Sequence, residues 1–138
     1  MKIIATLASL AFSVALALPA QAQVVIISAK NPLSKLTKEQ VAQIFLGQAK
    51  TFITGGQAIP LDQPDGSELR KEFYQKATGK TPAQLKAYWS KMEFSGNARA
   101  PQALSAAEVV KLVAENPKYI GYVDASAVTA GVKVVLTF

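Results

Sequence analysis

The sequence predicts an α/β fold, a central mixed sheet flanked by about four helices. Three observations carry that expectation. Short β-branched apolar runs open and close the chain beyond its first residues, four segments between them have helical spacing with capping residues, and a glycine-containing apolar run follows the last of those segments.

The opening stretch, "MKIIATLASLAFSVALALPAQA", has one lysine near its start, an apolar run from Ile3 to Leu18, and the small-residue pattern Ala20-Gln21-Ala22. It reads as a secretory signal peptide over residues 1–22, with cleavage after Ala22. A membrane anchor is the weaker reading, because no second apolar span or basic stop-transfer flank follows. Removal of 22 residues from 138 leaves 116, a length for one exported domain over 23–138, with no membrane span after cleavage.

"VVIISA", Val24 to Ala29, has the composition of a strand buried on both faces. In "LTKEQVAQIFLG", Thr37 caps a helix with Gln40 three residues on, Val41, Ile44 and Phe45 form its apolar stripe, and Gly47 ends it. Gly55-Gly56 marks a loop or hairpin leading to a strand over Ile59 to Asp62, where Pro60 requires an edge or a strand start. A second helix runs from Ser67 to about Thr78, with Leu69, Phe73 and Ala77 inward, Gly79 after its end, and Glu72 spaced to pair with Lys76.

Thr81, Pro82 and Gln84 open a third helix with inner residues Leu85, Tyr88 or Trp89, and Met92. "FSGNARAP" is loop by composition. Ser105 and Glu108 make a further capping box for a fourth helix that buries Val109, Leu112 and Val113 before Asn116-Pro117 stops it. "YIGYVD" is a strand whose glycine marks close packing, and "VKVVLTF" is the last strand, with Phe138 in the core. Capped helices exclude an outer-membrane barrel for this ending.

Composition narrows the function. The chain has no cysteine and no histidine, which removes disulfides, the usual zinc and haem ligands, and the Ser-His and Cys-His catalytic pairs. No cofactor, metal or catalytic residue is expected, and an enzyme is the least favoured class. A hydrolase built on Ser67 would have to draw its base from Asp62, Asp65, Glu68 or a lysine. Without Lys2 the chain keeps 14 basic and 9 acidic residues, and the excess sits between Arg70 and Arg99. For an exported protein this points away from nucleic acid and toward small anions, anionic surfaces or an acidic protein, or else toward a solvated helical face.

"DQPDGSELRKEF" runs a Pro-Asp-Gly-Ser turn straight into the second helix. A helix N-terminus offers unpaired N–H groups and the positive end of the macrodipole, so Ser67 reads either as a helix cap or as part of an anion cradle. Asp65 reads as a turn or capping carboxylate and Gly66 as the turn's flexible residue, while Arg70 lies three residues from Ser67 on the same helix face.

"LSKLTKEQVAQIFLGQAKTFITGGQAIPL", then "DGSELRKEF", "YWSKMEFSGNARAP" and "NPKYIGYVD" resemble the phosphate-type periplasmic substrate-binding proteins of ABC transporters, more narrowly short members that correspond to one lobe of the two-lobe fold. The resemblance implies a loop and helix N-terminus that help hold phosphate or a similar oxyanion, with Asp65, Gly66 and Ser67 matching the family's turn. It also implies an ABC transporter membrane component, or another periplasmic protein, as partner. Glu68 and Leu69 stand where the family has Gly and Thr, Gln63 stands where it has an arginine, and the second lobe is missing.

Micromolar capture needs about 8 kcal/mol. A helix N-terminus supplies roughly 0.3 to 2 kcal/mol and a charge-assisted hydrogen bond roughly 1.5 to 3. One open lobe is therefore expected to bind on the order of millimolar. The competing expectation is an accessory or protein-interaction module that kept the lobe and lost the ligand.

Overall fold

The computed structural model describes residues 22–138. The expected signal peptide lies, apart from Ala22, outside the described residues.

The elements follow one another as β1 (Gln23–Ser28), α1 (Lys38–Phe45), β2 (Ile59–Asp62), α2 (Glu68–Thr78), α3 (Pro82–Phe94), β3 (Gln102–Ala103), α4 (Ala106–Glu115), β4 (Tyr119–Asp124) and β5 (Val132–Thr137). The five strands form one mixed sheet in the order β3-β2-β4-β1-β5. This is the α/β architecture expected.

β1 is buried along its whole length because it is covered on both faces and paired on both edges, antiparallel to β4 and to β5. β2 runs parallel to β4 and to β3. Ile59 donates its N–H to the Lys118 carbonyl on the β4 side. The next nitrogen, that of Pro60, therefore faces the opposite edge, short of β3, whose pairing begins at Leu61. The proline sits at a strand start with no ladder bond to lose.

Two cores result from the alternation of side chains across the sheet. Val25, Ile27, Ile120, Tyr122 and Val135 face α1, α2 and α3, where they meet Phe45, Phe73, Leu85 and Trp89. Val24, Ile26, Leu61, Val123 and Val132 face α4 and its Val109, Val110 and Val113. Gly121 permits that second contact: a Cβ there would lie 2.4 Å from Val109 Cγ1. On the first face Phe73 stacks on Tyr122 with centroids 3.8 Å apart, and Phe45 meets Phe73 edge-on at 4.8 Å. Phe138 is half-buried against the same cluster.

The capping boxes form as read, Thr37 with Gln40, Thr81 with Gln84 and Ser105 with Glu108. Three expectations change. Val110 takes the buried position on α4 and Leu112 is only half-buried, because α4 presents its 109–110–113 edge to the sheet. The stretch read as loop from Phe94 begins one residue later, since Phe94 closes α3, and after Pro101 it leads into the two-residue β3, which no sequence signal predicts and which pairs with Leu61 and Asp62. Glu72 accepts a 2.6 Å hydrogen bond from Gln23 Nε2 and forms no ion pair with Lys76 among the described residues.

Candidate anion site at the start of α2

β2 delivers Asp62 and Gln63, both buried, to the edge of the aromatic core. The chain then leaves the sheet through Pro64, Asp65 and Gly66. Gly66 has φ +84°, a left-handed conformation that costs glycine little and lets the Ser67 N–H close on the Pro64 carbonyl at 3.1 Å. Ser67 becomes the N-cap of α2, its Oγ accepting the Arg70 N–H at 3.3 Å. The structure thus realises the capping role of Ser67. An oxygen that accepts one bond still has its own proton to donate.

The other amides of the first turn remain open. Lys71 N–H bonds the Ser67 carbonyl, but Glu68 and Leu69 N–H groups donate to nothing among the described residues. Together with the helix dipole they make an electropositive rim, and the exposed Glu68 sets a negative charge on it.

Arg70 turns to two carboxylates at once. Its Nη1 bonds Asp65 Oδ1 at 2.9 Å and its Nε lies 3.4 Å from Asp62 Oδ1, with the guanidinium carbon 5.2 Å from the Tyr74 ring centre. The Asp65 side chain is 93% exposed, that of Asp62 3%. An exposed ion pair is worth about 0–1 kcal/mol and exchanges readily, whereas a buried one is held by everything around it.

Asp62 is held in that second sense. Its Oδ2 accepts from the Tyr74 hydroxyl at 2.7 Å, and its Oδ1 accepts from the Gln63 N–H at 2.8 Å and from the Tyr122 hydroxyl. Gln63 Nε2 donates to the Tyr122 carbonyl at 2.8 Å, so this side chain serves as a strand tie. Burial, followed by the charge and hydrogen bonds of Asp62, pushes the ionisation of both tyrosines well above the ordinary phenol range. Both phenols are therefore fixed as donors.

Two cavities adjoin this turn, and a third follows them. The first, of about 140 Å³, is bounded by Asp65, Gly66, Ser67, Glu68, Arg70 and Lys71. The second, of about 240 Å³, shares Asp65 and Arg70 and adds Lys86, Trp89 and Ser90 from α3. A groove of about 700 Å³ lies beyond Trp89, between α3 and the ends of α1 and β2. Trp89 is buried and its indole N–H has no partner among the described residues, which costs about 1–3 kcal/mol if left unmade.

The turn therefore brings Asp65, Gly66, Ser67 and Arg70 together around one small cleft. No carboxylate or amine hydrogen-bonds the Ser67 hydroxyl among the described residues, so the serine–base pair of a hydrolase is not assembled. Sequence reasoning took Asp62 only as a strand end and a conceivable base, and left out Tyr74 and Tyr122 as its partners. The available signal was a lone aspartate ending an apolar strand, together with two tyrosines on inward positions, whose hydroxyls need partners when buried.

No protein-family model matches the chain, and no curated protein sequence does. Solved structures do. The chain superposes on a structure assigned to a phosphate ABC transporter substrate-binding protein from Clostridium perfringens, with phosphate bound, at a TM-score of 0.63 and 23% identity, covering 83% of this chain and 44% of that one. An ABC-type phosphate transport receptor from Vibrio cholerae gives 0.58 and 17% identity over 83% of this chain and 45% of that one. PstS from Borrelia burgdorferi gives 0.58 and 16% over 83% and 46%. The fold is thus that of one part of the phosphate-transporter binding proteins, and the chain spans less than half the length of the structures it matches.

Proposed function

We propose that this protein is a periplasmic, non-enzymatic binding protein for phosphate or a similar oxyanion, with the anion bound at the start of α2, at the Asp65-Gly66-Ser67 turn and against Arg70. Two features of the turn support the reading: Glu68, whose amide is open, and Arg70 border one cleft, in a fold shared with phosphate-transporter binding proteins. The anion takes the place of the exposed Asp65 carboxylate on Arg70 and accepts a hydrogen bond from the Ser67 hydroxyl. Residues 1–22 act as the export signal and 23–138 as the binding domain.

Affinity is on the order of millimolar, because Asp65 and Glu68 oppose the incoming charge and a single open lobe leaves one side of the ligand in water. An ABC transporter membrane component, or another periplasmic protein, completes the site. Calorimetry with phosphate and sulfate tests the reading. Saturable heat that Ser67→Ala with Arg70→Ala abolishes supports it, and no heat or thermal stabilisation at tens of millimolar anion, the order of concentration the expected affinity demands, counts against it.

A second reading rests on a separate observation. Phe94 is 96% exposed at the end of α3, close in sequence to the exposed Lys91. An accessory module that docks an acidic partner with an apolar spot would present such a face. Retention of a periplasmic partner by the wild type, lost after Lys86→Glu with Lys91→Glu, distinguishes it from the anion reading.

A further inference from the structure

We propose that the ligand of this site is an organic oxyanion, whose charged head lies between Arg70 and Lys86 and whose uncharged body crosses Trp89 into the groove beyond. The inference rests on the anion site proposed above and adds the chemical class of its ligand.

The cavities run end to end. The cleft at Ser67 and the cleft at Lys86 have Asp65 and Arg70 in common, and the second cleft and the large groove have Trp89 and Glu93 in common. Small-molecule sites typically measure about 300 to 1,000 Å³. The two clefts, of about 140 and 240 Å³, fall below that range singly and have room for a headgroup. The groove, at about 700 Å³, lies within it, and Ile44, Phe45, Ala58 and Pro60 give it apolar walls.

Charge leads to the same ligand. Around the clefts Arg70, Lys71 and Lys86 are matched one for one by Asp65, Glu68 and Glu93, so a bare anion meets a locally balanced surface. The groove adds Lys50 and Arg99 and no further acid, so the run as a whole favours a ligand of net negative charge. A compact anion gains little from that more distant charge, and a ligand that reaches along the run adds apolar contact to it.

Trp89 stands at the wall that the second cleft and the groove share. Its indole N–H is a buried donor with no acceptor among the described residues. Gly47, which also lines the groove, has φ +72° and packs beside Ala98, where an added Cβ would lie 2.8 Å from the Ala98 Cβ. The indole at this shared wall offers the body a rigid aromatic surface.

Trp89 is the chain's one tryptophan, so its emission reports directly on this wall. Inorganic phosphate and phenyl phosphate are titrated into the protein, with calorimetry alongside fluorescence. Phenyl phosphate is expected to bind at least about tenfold more tightly and to shift Trp89 emission. Lys86→Ala, at an exposed position, weakens both ligands by a similar factor, while Trp89→Phe, checked for a native melt, removes most of the phenyl phosphate advantage. Equal binding of the two ligands, within about threefold, overturns the inference and leaves the anion site standing. Tighter phenyl phosphate binding that leaves Trp89 emission unchanged overturns it as well. Binding of neither ligand overturns both readings.

Discussion

Asp62 and Asp65 share one arginine and differ in almost everything else. Asp62 closes β2 with its carboxylate inside the protein, fed by two tyrosine hydroxyls and a backbone amide. Asp65, three residues later, sits in a turn with its carboxylate in water and Arg70 as its hydrogen-bond partner. The same guanidinium is thus anchored from below and only covered from above. Anchoring fixes where the positive charge stands, and the weak cover lets something else take its place. An anion site needs both: a rigid donor whose position costs nothing at the moment of binding, and an exposed face whose resident partner can leave.

The largest way to break this comparison is to remove the anchor. Asp62→Ala strips the acceptor from Tyr74, Tyr122 and the Gln63 amide and leaves Arg70, with only 17% of its side chain exposed, facing Asp65 alone. Breaking a buried pair from one side costs about 3–5 kcal/mol. Urea unfolding is expected to show a loss of that order, and Asp62→Asn a smaller one, since an amide oxygen still accepts.

Alkali attacks the same anchor. Tyr74 and Tyr122 titrate above their ordinary value in the folded protein, so their stabilising effect is complete below about pH 10. Above it the unfolded chain releases phenolic protons that the folded one retains, and stability falls by about 1.4 kcal/mol per pH unit for each tyrosine. Urea midpoints between pH 8 and 11.5 are expected to drop steeply past about pH 10, with a shallower slope in Tyr122→Phe. A pH-independent midpoint over that window contradicts the buried-donor account.

On the opposite face of the sheet no charge is involved, which makes it the control. Gly121→Ala drives a methyl to 2.4 Å from Val109 Cγ1, and overpacking of this kind costs about 1–3 kcal/mol. Val109→Ala in the same chain is expected to recover part of the loss, as a double-mutant cycle will show, with binding unaffected.

The smallest stability effects belong to the turn, and they separate its residues best. Ser67→Ala loses the cap and costs about 1 kcal/mol, with anion binding weakened. Asp65→Ala changes stability by no more than about 0.5 kcal/mol and is expected to tighten phosphate binding, because it clears the exposed side of Arg70. Looser phosphate binding in Asp65→Ala, measured by calorimetry, removes the distinction between the anchoring and the covering carboxylate.

Much of the fold was legible because its signals are local. The boxes at Thr37, Thr81 and Ser105 each join residues three apart, and Pro60 needed only its missing N–H to place it at a strand start. Ser67 was legible as a cap for the same reason, and Gly66 as the turn residue that precedes it. β3 was not, since two exposed residues become a strand only by lying beside Leu61 and Asp62. Glu72 was spaced to meet Lys76 one turn away but bonds Gln23, 49 residues distant, because β1 passes beside α2.

The order of residues by itself determined where helices begin and end, which strands are buried, and that a Gly-Ser turn opens α2, because each depends on groups within a few bonds of one another. Tertiary structure alone decided what Arg70 faces and what surrounds it. Tyr122 lies 60 positions from Asp62 and Tyr74 lies 12. Their hydroxyls converge on one carboxylate only when β2, α2 and β4 pack together, since a buried charge takes its partners from whatever the fold brings within reach.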